Sequence, residues 1–391
     1  MKIRTITAGF HLELPIRTIT AGFHLELPLD EGRISRIAEF VHSARRAFEE
    51  RGYPVQTVRV TTQPWEEYFT SKAQIVSLVR ELEDLFKTYA VDYFNVGTTR
   101  NPRLIPIIYD LIQDTSKLFC TVPIADHTRI DHEAAKRTAA VMKRLSTIRP
   151  DGFSNLRFAA LFNSGPGGAF FPAAYHRGPE SFAIGTENSD LVLKAFSQAR
   201  DIERAGRVLN KILMEEFNKI EEIASHISES QGIPFEGIDV SIAPSVQPDE
   251  SIAFAFEELG LGKFGDVGTL AIAKIITDTI RDLEVSKCGY CGLMLPILED
   301  YGLAMRNIDG AFNLTDLLLY SSVCGTGLDT IPLPGDTSEE KLYALLLDIA
   351  SISIKLDKPL SARLMPVPGK RPGEMTDYDF EYFANTKIMN I

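Results

Sequence analysis

The stretch GRISRIAEFVHSARRAFEERGYPVQTVRVTT, residues 32–62, contains one complete helix-to-strand unit. Apolar residues recur at helical spacing from Gly32 onward, and Gly52 stands where such a helix ends. The alternating YPVQTVRVTT that follows is typical of a β-strand. This unit therefore predicts a fold in which helices and strands alternate along the chain.

The alternation continues beyond this unit. Helical spacing at residues 68–89, 102–118 and 131–148 alternates with the strand-like runs YFNVG, LFCTVPI and LRFAALFNSG. A long helical stretch at residues 187–228 precedes IDVSIAP, which is typical of another strand. Because no flexible linker or charge block divides the chain, we predict a single barrel-like or layered α/β domain over residues 29–391.

An immediate repeat precedes this domain. The sequence IRTITAGFHLELP occupies residues 3–15 and recurs unchanged at residues 16–28. The alternating IRTIT predicts a strand, and one position in a sheet accepts one strand. We therefore expect one copy within residues 1–28 to form the first strand and the other to be an extension, so that either His11 or His24 accompanies the strand.

Composition excludes several classes of protein. The 391 residues are 45% hydrophobic and 24% charged, with a net charge of −12. Basic residues are scattered, which argues against nucleic-acid binding, and no apolar run is long enough to span a membrane. The start lacks the apolar stretch of a signal peptide, and the four cysteines are dispersed. These features predict a cytoplasmic protein with reduced thiols.

The segment SSVCGTGLDTIPLPGD, residues 321–336, is the first candidate site. Its glycines place backbone N–H groups and side chains close together, so a thiolate at Cys324 is a candidate nucleophile beside Gly325 and Gly327. Asp329 and Asp336 are candidate acid–base and ligand-binding groups. The alternative is that the cysteine is a small buried apolar residue and that the aspartates cap turns.

The segment KCGYCGLMLPILED, residues 287–300, is the second candidate. Its single C-x-x-C pair lacks the second ligand pair of a structural zinc site. We instead predict a ligand-lining loop that contains Cys291 and the adjacent carboxylates Glu299 and Asp300. A third hypothesis is a Mg²⁺ or Mn²⁺ cofactor held by carboxylates of these two segments, with Asp329, Asp336, Glu299 or Asp300 as ligands.

Residues 162–187 form the third candidate segment, FNSGPGGAFFPAAYHRGPESFAIGTE. His176 lies among loop residues and titrates near neutrality, which makes it a candidate general base. Glu187 follows a short strand-like run and is a candidate catalytic carboxylate. The alternative is that this histidine is a buried structural residue.

Four motifs together resemble a known family: VCGTGLDTIPLPGD, CGYCGLMLPILED, the opening MKIRTIT and the closing RLMPVPGK. They are similar to the family known as domain of unknown function number seven hundred and eleven. The resemblance implies a fold like that of pyruvate formate-lyase and other glycyl radical enzymes, a barrel of two half-barrels with an interior site, and a homodimer. In those enzymes a central loop carries a thiyl-forming cysteine. The closing VPGKRPG departs from their radical-glycine signature.

These observations predict an enzyme that acts on a small polar or anionic metabolite inside the barrel, without glycyl radical chemistry. Cys324 or a carboxylate is expected to react, and His176 to move protons. The alternative is a non-catalytic small-molecule binding protein or sensor that uses the same loops.

Overall fold

Within residues 14–69 and 71–391, which the computed structural model describes, nine strands form one mixed sheet in the order β7-β6-β1-β2-β3-β4-β5-β9-β8. The strands are β1 (Ile16–Gly22), β2 (Val55–Thr61), β3 (Tyr93–Thr98), β4 (Leu118–Ala125), β5 (Phe158–Phe162), β6 (Ser181–Thr186), β7 (Phe235–Asp239), β8 (Gly327–Pro334) and β9 (Leu360–Val367). The helices are α1 (Glu31–Glu49), α2 (Lys72–Thr88), α3 (Ile107–Asp114), α4 (His132–Leu145), α5 (Ser189–Ala199), α6 (Ile202–Gln231), α7 (Ile252–Glu257), α8 (Thr269–Arg281), α9 (Tyr301–Asp309), α10 (Leu314–Ser321) and α11 (Glu339–Leu356).

Residues 286–297, here called the closing segment, connect the two edge strands of the sheet. Lys287 and Leu293 form parallel bridges with Ile238 and Ile242, at and just beyond β7, and Pro296 bridges Asp329 of β8. The closing segment therefore lies between β7 and β8 and is joined to both by isolated bridges. Through these bridges it connects the two edges of the sheet, which confirms the predicted α/β barrel.

The barrel consists of two parallel halves. Strands β1 to β5 run parallel, and so do β6, β7, the closing segment, β8 and β9. The halves meet antiparallel at β1–β6 and β5–β9. Because the halves run in opposite directions, the start of β1 and the end of β6 face the same end of the barrel.

The helices cover the outside of the barrel. Helix α1 packs on β1 and β2, α4 on β4, and α11 on β9. Asp30 and Asp131 cap α1 and α4 by accepting hydrogen bonds from backbone N–H groups. No helix among the described residues is long and apolar enough to cross a membrane.

The second copy of the N-terminal repeat supplies β1, which pairs with β2 on one side and β6 on the other. Ile19 of this copy is fully buried. His24 follows the strand, so the second copy places this histidine beside the sheet. The first copy, with His11, lies outside the described residues except for Leu14 and Pro15.

Residues 163–180, here called the central loop, connect β5 to β6 and enter the barrel. Its backbone carbonyls accept hydrogen bonds from side chains of the first half: Ala169 from Thr20 at 2.7 Å, and Pro172 from Asn95 at 2.8 Å. Small polar side chains inside a strand are unusual in an apolar barrel, and here they satisfy the polar backbone of the loop. The central loop thereby fills part of the barrel interior.

The C-terminal segment, residues 371–391, covers one end of the barrel. Tyr378 and Phe383 are buried in a cluster with Leu298 and Met365. The backbone N–H of Ala384 also donates to the carbonyl of Leu298 at 2.7 Å. These contacts hold the segment over the opening that lies next to the cavity described below.

Candidate functional site

A cavity of about 110 Å³ lies inside the barrel, between the central loop and the C-terminal segment. Both half-barrels contribute to its lining. The polar side chains in the lining are Arg17, Gln56, Thr57, Arg59, Tyr93, Tyr290, Glu299, Thr326, Asp329, Ser361, Arg363 and Tyr382. An interior cavity with several convergent polar groups is the usual form of a small-molecule site.

One wall of the cavity carries an alternating row of charges, here called the charged chain. Arg17 Nη1 lies 2.6 Å from Glu187 Oε2, and Arg17 Nη2 lies 2.9 Å from Glu299 Oε2. Arg363 Nη2 then donates to Glu299 Oε1 at 2.7 Å and to Asp329 Oδ2 at 2.9 Å. Each guanidinium thus lies between two carboxylates, which is the geometry that stabilises buried ion pairs.

The arginines of the charged chain keep their charge despite burial. Burial lowers the pKa of Arg363, but Asp329 and Glu299 outweigh it and raise that pKa above its ordinary value. Burial also lowers the pKa of Arg17, and Glu187 and Glu299 again outweigh it. The charged chain therefore contains two arginines that stay positively charged and three carboxylates.

Arg59 is not bonded to the charged chain, although Arg17 and Glu299 lie close enough to affect its pKa. Its side chain is 9% exposed, and its Nε donates to Thr57 Oγ1 at 3.0 Å. Its guanidinium lies 5.7 Å from the ring centroid of Tyr93 and 5.3 Å from that of Phe171. No carboxylate in the described part of the chain forms an ion pair with it. Burial, followed by the charge of Arg17, lowers the pKa of Arg59 to about 10.

Two hydroxyl groups in the lining are incompletely hydrogen-bonded. Thr326 Oγ1 and Tyr290 Oη are buried, and neither forms a hydrogen bond of normal geometry within the described residues. Burial raises the pKa of Tyr290, and the nearby hydroxyls of Ser361 and Ser164 lower it only in part. A buried polar group without a partner is costly, so the hydroxyl of Thr326 is available to a bound molecule.

The remaining lining is apolar. Phe119 and Phe171 pack against each other with ring centroids 5.6 Å apart, and Leu156, Met294 and Phe380 line the same cavity. Phe380 and Tyr382 come from the C-terminal segment. The cavity therefore presents both a charged surface and a compact apolar surface to a ligand.

Three of the predicted site residues lie at this cavity. Glu299 and Asp329 line it, and Glu187 is the outer member of the charged chain. Gln56 Nε2 donates to Glu187 Oε2 at 2.8 Å, which fixes this carboxylate from a second side. The structure thus brings together carboxylates from three segments of the sequence, as inward-facing positions of a barrel do.

Cys324 and His176 lie elsewhere. Cys324 is 1% exposed within the apolar core, outside the cavity lining, and its carbonyl oxygen accepts a hydrogen bond from Lys358 Nζ. The His176 ring packs against Gly22, and its Nε2 lies 3.0 Å from the Gly178 carbonyl. Burial lowers the pKa of His176. Neither side chain is placed to touch a molecule in this cavity.

The other predicted residues shape the surroundings. Gly325 passes so close to Gly292 that a Cβ on Gly325 would lie 2.4 Å from the Gly292 Cα, and Gly327 has a φ of +84°. The Cys291 N–H donates to the buried Asp239 carboxylate at 3.0 Å. Gly325 thus joins the closing segment to the start of β8, Cys291 joins it to β7, and Gly327 lies against Ser361 of β9.

The four carboxylates of the predicted metal site do not converge. Asp329 and Glu299 bind Arg363, whereas Asp300 caps α9 and accepts from the Leu303 N–H at 2.7 Å. Asp336 is exposed in a turn after β8. Among residues 14–69 and 71–391 no group of three or more His, Cys, Asp or Glu side chains is arranged to hold a metal ion.

The sequence interpretation missed the three arginines of the cavity. Arg17, Arg59 and Arg363 each lie inside a run that is typical of a strand, in IRTIT, TVRVTT and RLMPV. A charged residue in a buried strand is rare unless it is paired or functional. That signal was present in the sequence and points to all three positions.

Comparison with known proteins identifies the family. The family model described as Uncharacterised ACR (DUF711) matches residues 1–380, and the chain belongs to that family. A UPF0210 protein of Pyrobaculum aerophilum is 29% identical over 349 residues, which are 83% of this chain and 76% of the relative. A UPF0210 protein of Clostridium beijerinckii is 26% identical over 401 residues, covering 97% of this chain and 88% of the relative.

Solved structures give a more distant likeness. The anaerobic ribonucleotide reductase of Thermotoga maritima, in complex with dATP and CTP, aligns over 96% of this chain and 81% of its own. The TM-score is 0.48 and the sequence identity is 10%.

Proposed function

We propose that this member of the DUF711 family is an enzyme that binds a small metabolite through an anionic group inside the barrel. Arg59 holds the anionic group, and Glu299 or Asp329 transfers protons to or from the bound molecule. The observation that carries the proposal is the buried guanidinium of Arg59 in the cavity lining, which has no ion-pair partner among the described residues.

The physical argument rests on the cost of an unpaired buried charge. A guanidinium removed from water without a counter-ion destabilises the folded protein. In the described part of the chain, Arg59 has Thr57 and two aromatic rings as its neighbours of suitable chemistry. A carboxylate or phosphate group bound between these rings gives it the missing partner in bidentate geometry. The hydroxyl of Thr326, which has no partner among the described residues, adds a hydrogen bond to the same ligand.

Acid–base chemistry is the reaction type that this lining supports best. Glu299 and Asp329 face the cavity, and a carboxylate within hydrogen-bond reach of a substrate transfers protons. The central loop contains no cysteine, and Cys324 lies outside the lining. A thiyl route therefore has no supporting side chain at the cavity, and the proposal does not include one.

Replacement of Arg59 tests the binding step. Thermal shift against small carboxylates, phosphate monoesters and amino acids, followed by calorimetry on the hits, measures affinity for the wild type and for Arg59→Gln. We expect at least about a tenfold loss of affinity in the variant, because a buried charged hydrogen bond is lost. Arg129→Gln, which changes an arginine side chain that is 83% exposed, serves as the matched control and should bind like the wild type.

The same variants separate binding from folding. Because Arg59→Gln removes an unpaired buried charge, the melting temperature of its free form should equal or exceed that of the wild type. A clear fall in melting temperature, or unchanged affinity for every hit, would contradict the role of Arg59. Product formation from a hit, measured by mass spectrometry and lost in Glu299→Gln or Asp329→Asn, distinguishes an enzyme from the alternative, a non-catalytic sensor.

The homodimer that the family resemblance implies is part of this proposal. Sedimentation equilibrium of the purified chain measures it directly, and a monomer at micromolar concentration would contradict it.

A further inference from the structure

The charged side chains of the cavity form two groups, the charged chain and Arg59. The charged chain contains three carboxylates and two guanidinium groups, which gives it a net charge of −1. Arg59 carries the opposite charge and forms no hydrogen bond with the side chains of the charged chain. The six groups together are neutral, so the cavity offers both acidic side chains, Glu299 and Asp329, and a positive group without an ion-pair partner, Arg59.

The acidic side chains retain hydrogen-bond capacity. Glu299 and Asp329 line the cavity, and among the described residues their side chains accept hydrogen bonds from Arg17 and Arg363 only. An ionised carboxylate has about four acceptor positions, so each of the two can accept further donors. An ammonium group, with three N–H donors, matches these free acceptor positions.

Part of the cavity lining is apolar. Phe119, Phe171 and Met294 contribute to it, and the space of about 110 Å³ is small. At about 30 Å³ per water, it corresponds to about four water molecules. A branched aliphatic side chain of three or four carbons fits such a space, whereas a nucleotide does not.

We infer that the cavity binds a zwitterion: an α-amino acid or close analogue with a compact apolar side chain. This inference rests on the proposed function, because it assigns the carboxylate of the ligand to Arg59. The ammonium group lies at Glu299 and Asp329, and the side chain packs on the aromatic wall. A zwitterion leaves the buried cavity neutral, whereas a simple anion or amine leaves one uncompensated buried charge.

Three ligands of one shape test the inference. They are L-leucine, 4-methylpentanoate, which lacks the ammonium group, and 3-methylbutylamine, which lacks the carboxylate. Calorimetry with the full-length protein should show that leucine binds at least about tenfold more tightly than either analogue, since each analogue leaves one buried charge uncompensated.

The outcomes distinguish this inference from the proposed function. If 4-methylpentanoate binds as tightly as leucine and loses affinity in Arg59→Gln, the zwitterion is wrong while anion binding at Arg59 stands. If none of the three binds and a phosphate monoester does, the zwitterion is also wrong. If no anion of any kind binds, both proposals fail together.

Asp329→Asn tests where the ammonium group lies. It should reduce the preference for leucine over 4-methylpentanoate by about tenfold and leave the affinity for 4-methylpentanoate nearly unchanged. Glu299→Gln is the second variant if Asp329→Asn fails to fold. Asp348→Asn, at an exposed carboxylate on α11, is the matched control and should keep the full preference. An unchanged preference in both cavity variants would overturn the assignment.

Discussion

Arg59 differs from the other cavity arginines in what surrounds it. Arg17 and Arg363 each lie between two carboxylates, and their pKa values rise above the ordinary range despite burial. Arg59 has no such partner within the described residues, and burial lowers its pKa. Arginine therefore has two different roles in this cavity. Arg17 and Arg363 stabilise its wall through ion pairs, whereas Arg59 is the arginine that we propose binds the ligand.

His176 gives a pH-dependent prediction at the residue scale. Its folded-state pKa lies below the unfolded value of about 6.5 because the ring is buried. The unfolded state therefore binds the proton more readily, and this residue makes the protein lose stability as pH falls below about 6.5. Urea unfolding at pH 7.5 and 5.5 should show a smaller loss for His176→Gln than for the wild type.

The control for that experiment is His226→Gln, because His226 is exposed on α6. This variant should lose as much stability between the two pH values as the wild type does. Equal losses in the wild type and His176→Gln would contradict the prediction.

At the scale of elements, the closing segment joins the two edge strands of the sheet and so completes the barrel. It contributes Tyr290 and Met294 to the cavity, and Glu299 lies two residues beyond its end. Its contact with the start of β8 depends on two glycines, Gly292 and Gly325, whose backbones meet without side chains between them. The same segment therefore both closes the barrel and supplies side chains to the cavity.

Gly325→Ala should separate the closing segment from β8. A Cβ at this position would lie 2.4 Å from the Gly292 Cα, and a backbone atom cannot move aside as a flexible side chain does. We expect a loss of about 1–3 kcal/mol in the free energy of unfolding, together with weaker ligand binding. Chemical denaturation and calorimetry measure the two effects.

Gly165→Ala is the matched control for this prediction. A Cβ added at Gly165 would meet no heavy atom of the described residues within 4 Å, and the φ of Gly165 is not in the left-handed region. The free energy of unfolding of this variant should differ from that of the wild type by less than about 1 kcal/mol. A Gly325→Ala variant as stable as this control would show that the two glycines are not in close contact.

At the scale of the whole molecule, the N-terminal repeat presents two identical sequences for one strand position. The second copy occupies that position, between β2 and β6, and carries Arg17 into the cavity. Identical local sequence therefore cannot decide which copy forms the strand. The order along the chain does, because the second copy is the one that leads directly into α1.

Matched substitutions in the two copies test this choice. Ile6 and Ile19 hold the same position in the repeat, and Ile19 is fully buried in β1. Ile19→Asp should lower the free energy of unfolding by more than about 4 kcal/mol because it buries a charge in the core. Ile6→Asp should change it by less than about 0.5 kcal/mol. Equal effects, measured by urea unfolding, would mean that the copies exchange.

The sequence by itself determined the alternation of helices and strands, because hydrophobic periodicity is a local property. It also identified Glu187, Glu299 and Asp329, which follow or lie within apolar strand-like runs. The family resemblance supplied the expectation of two half-barrels. The roles predicted for Cys324 and His176 stay predictions, although neither side chain lies at the cavity.

Only the tertiary structure decided how the site is assembled. The charged chain joins Arg17 to residues 170 and 282 positions away in the sequence, Glu187 and Glu299. Whether an arginine has a carboxylate partner depends on which strands become neighbours, and that depends on closure of the barrel through residues 286–297. Local patterns cannot report such distant pairing, because it arises from the packing of whole strands.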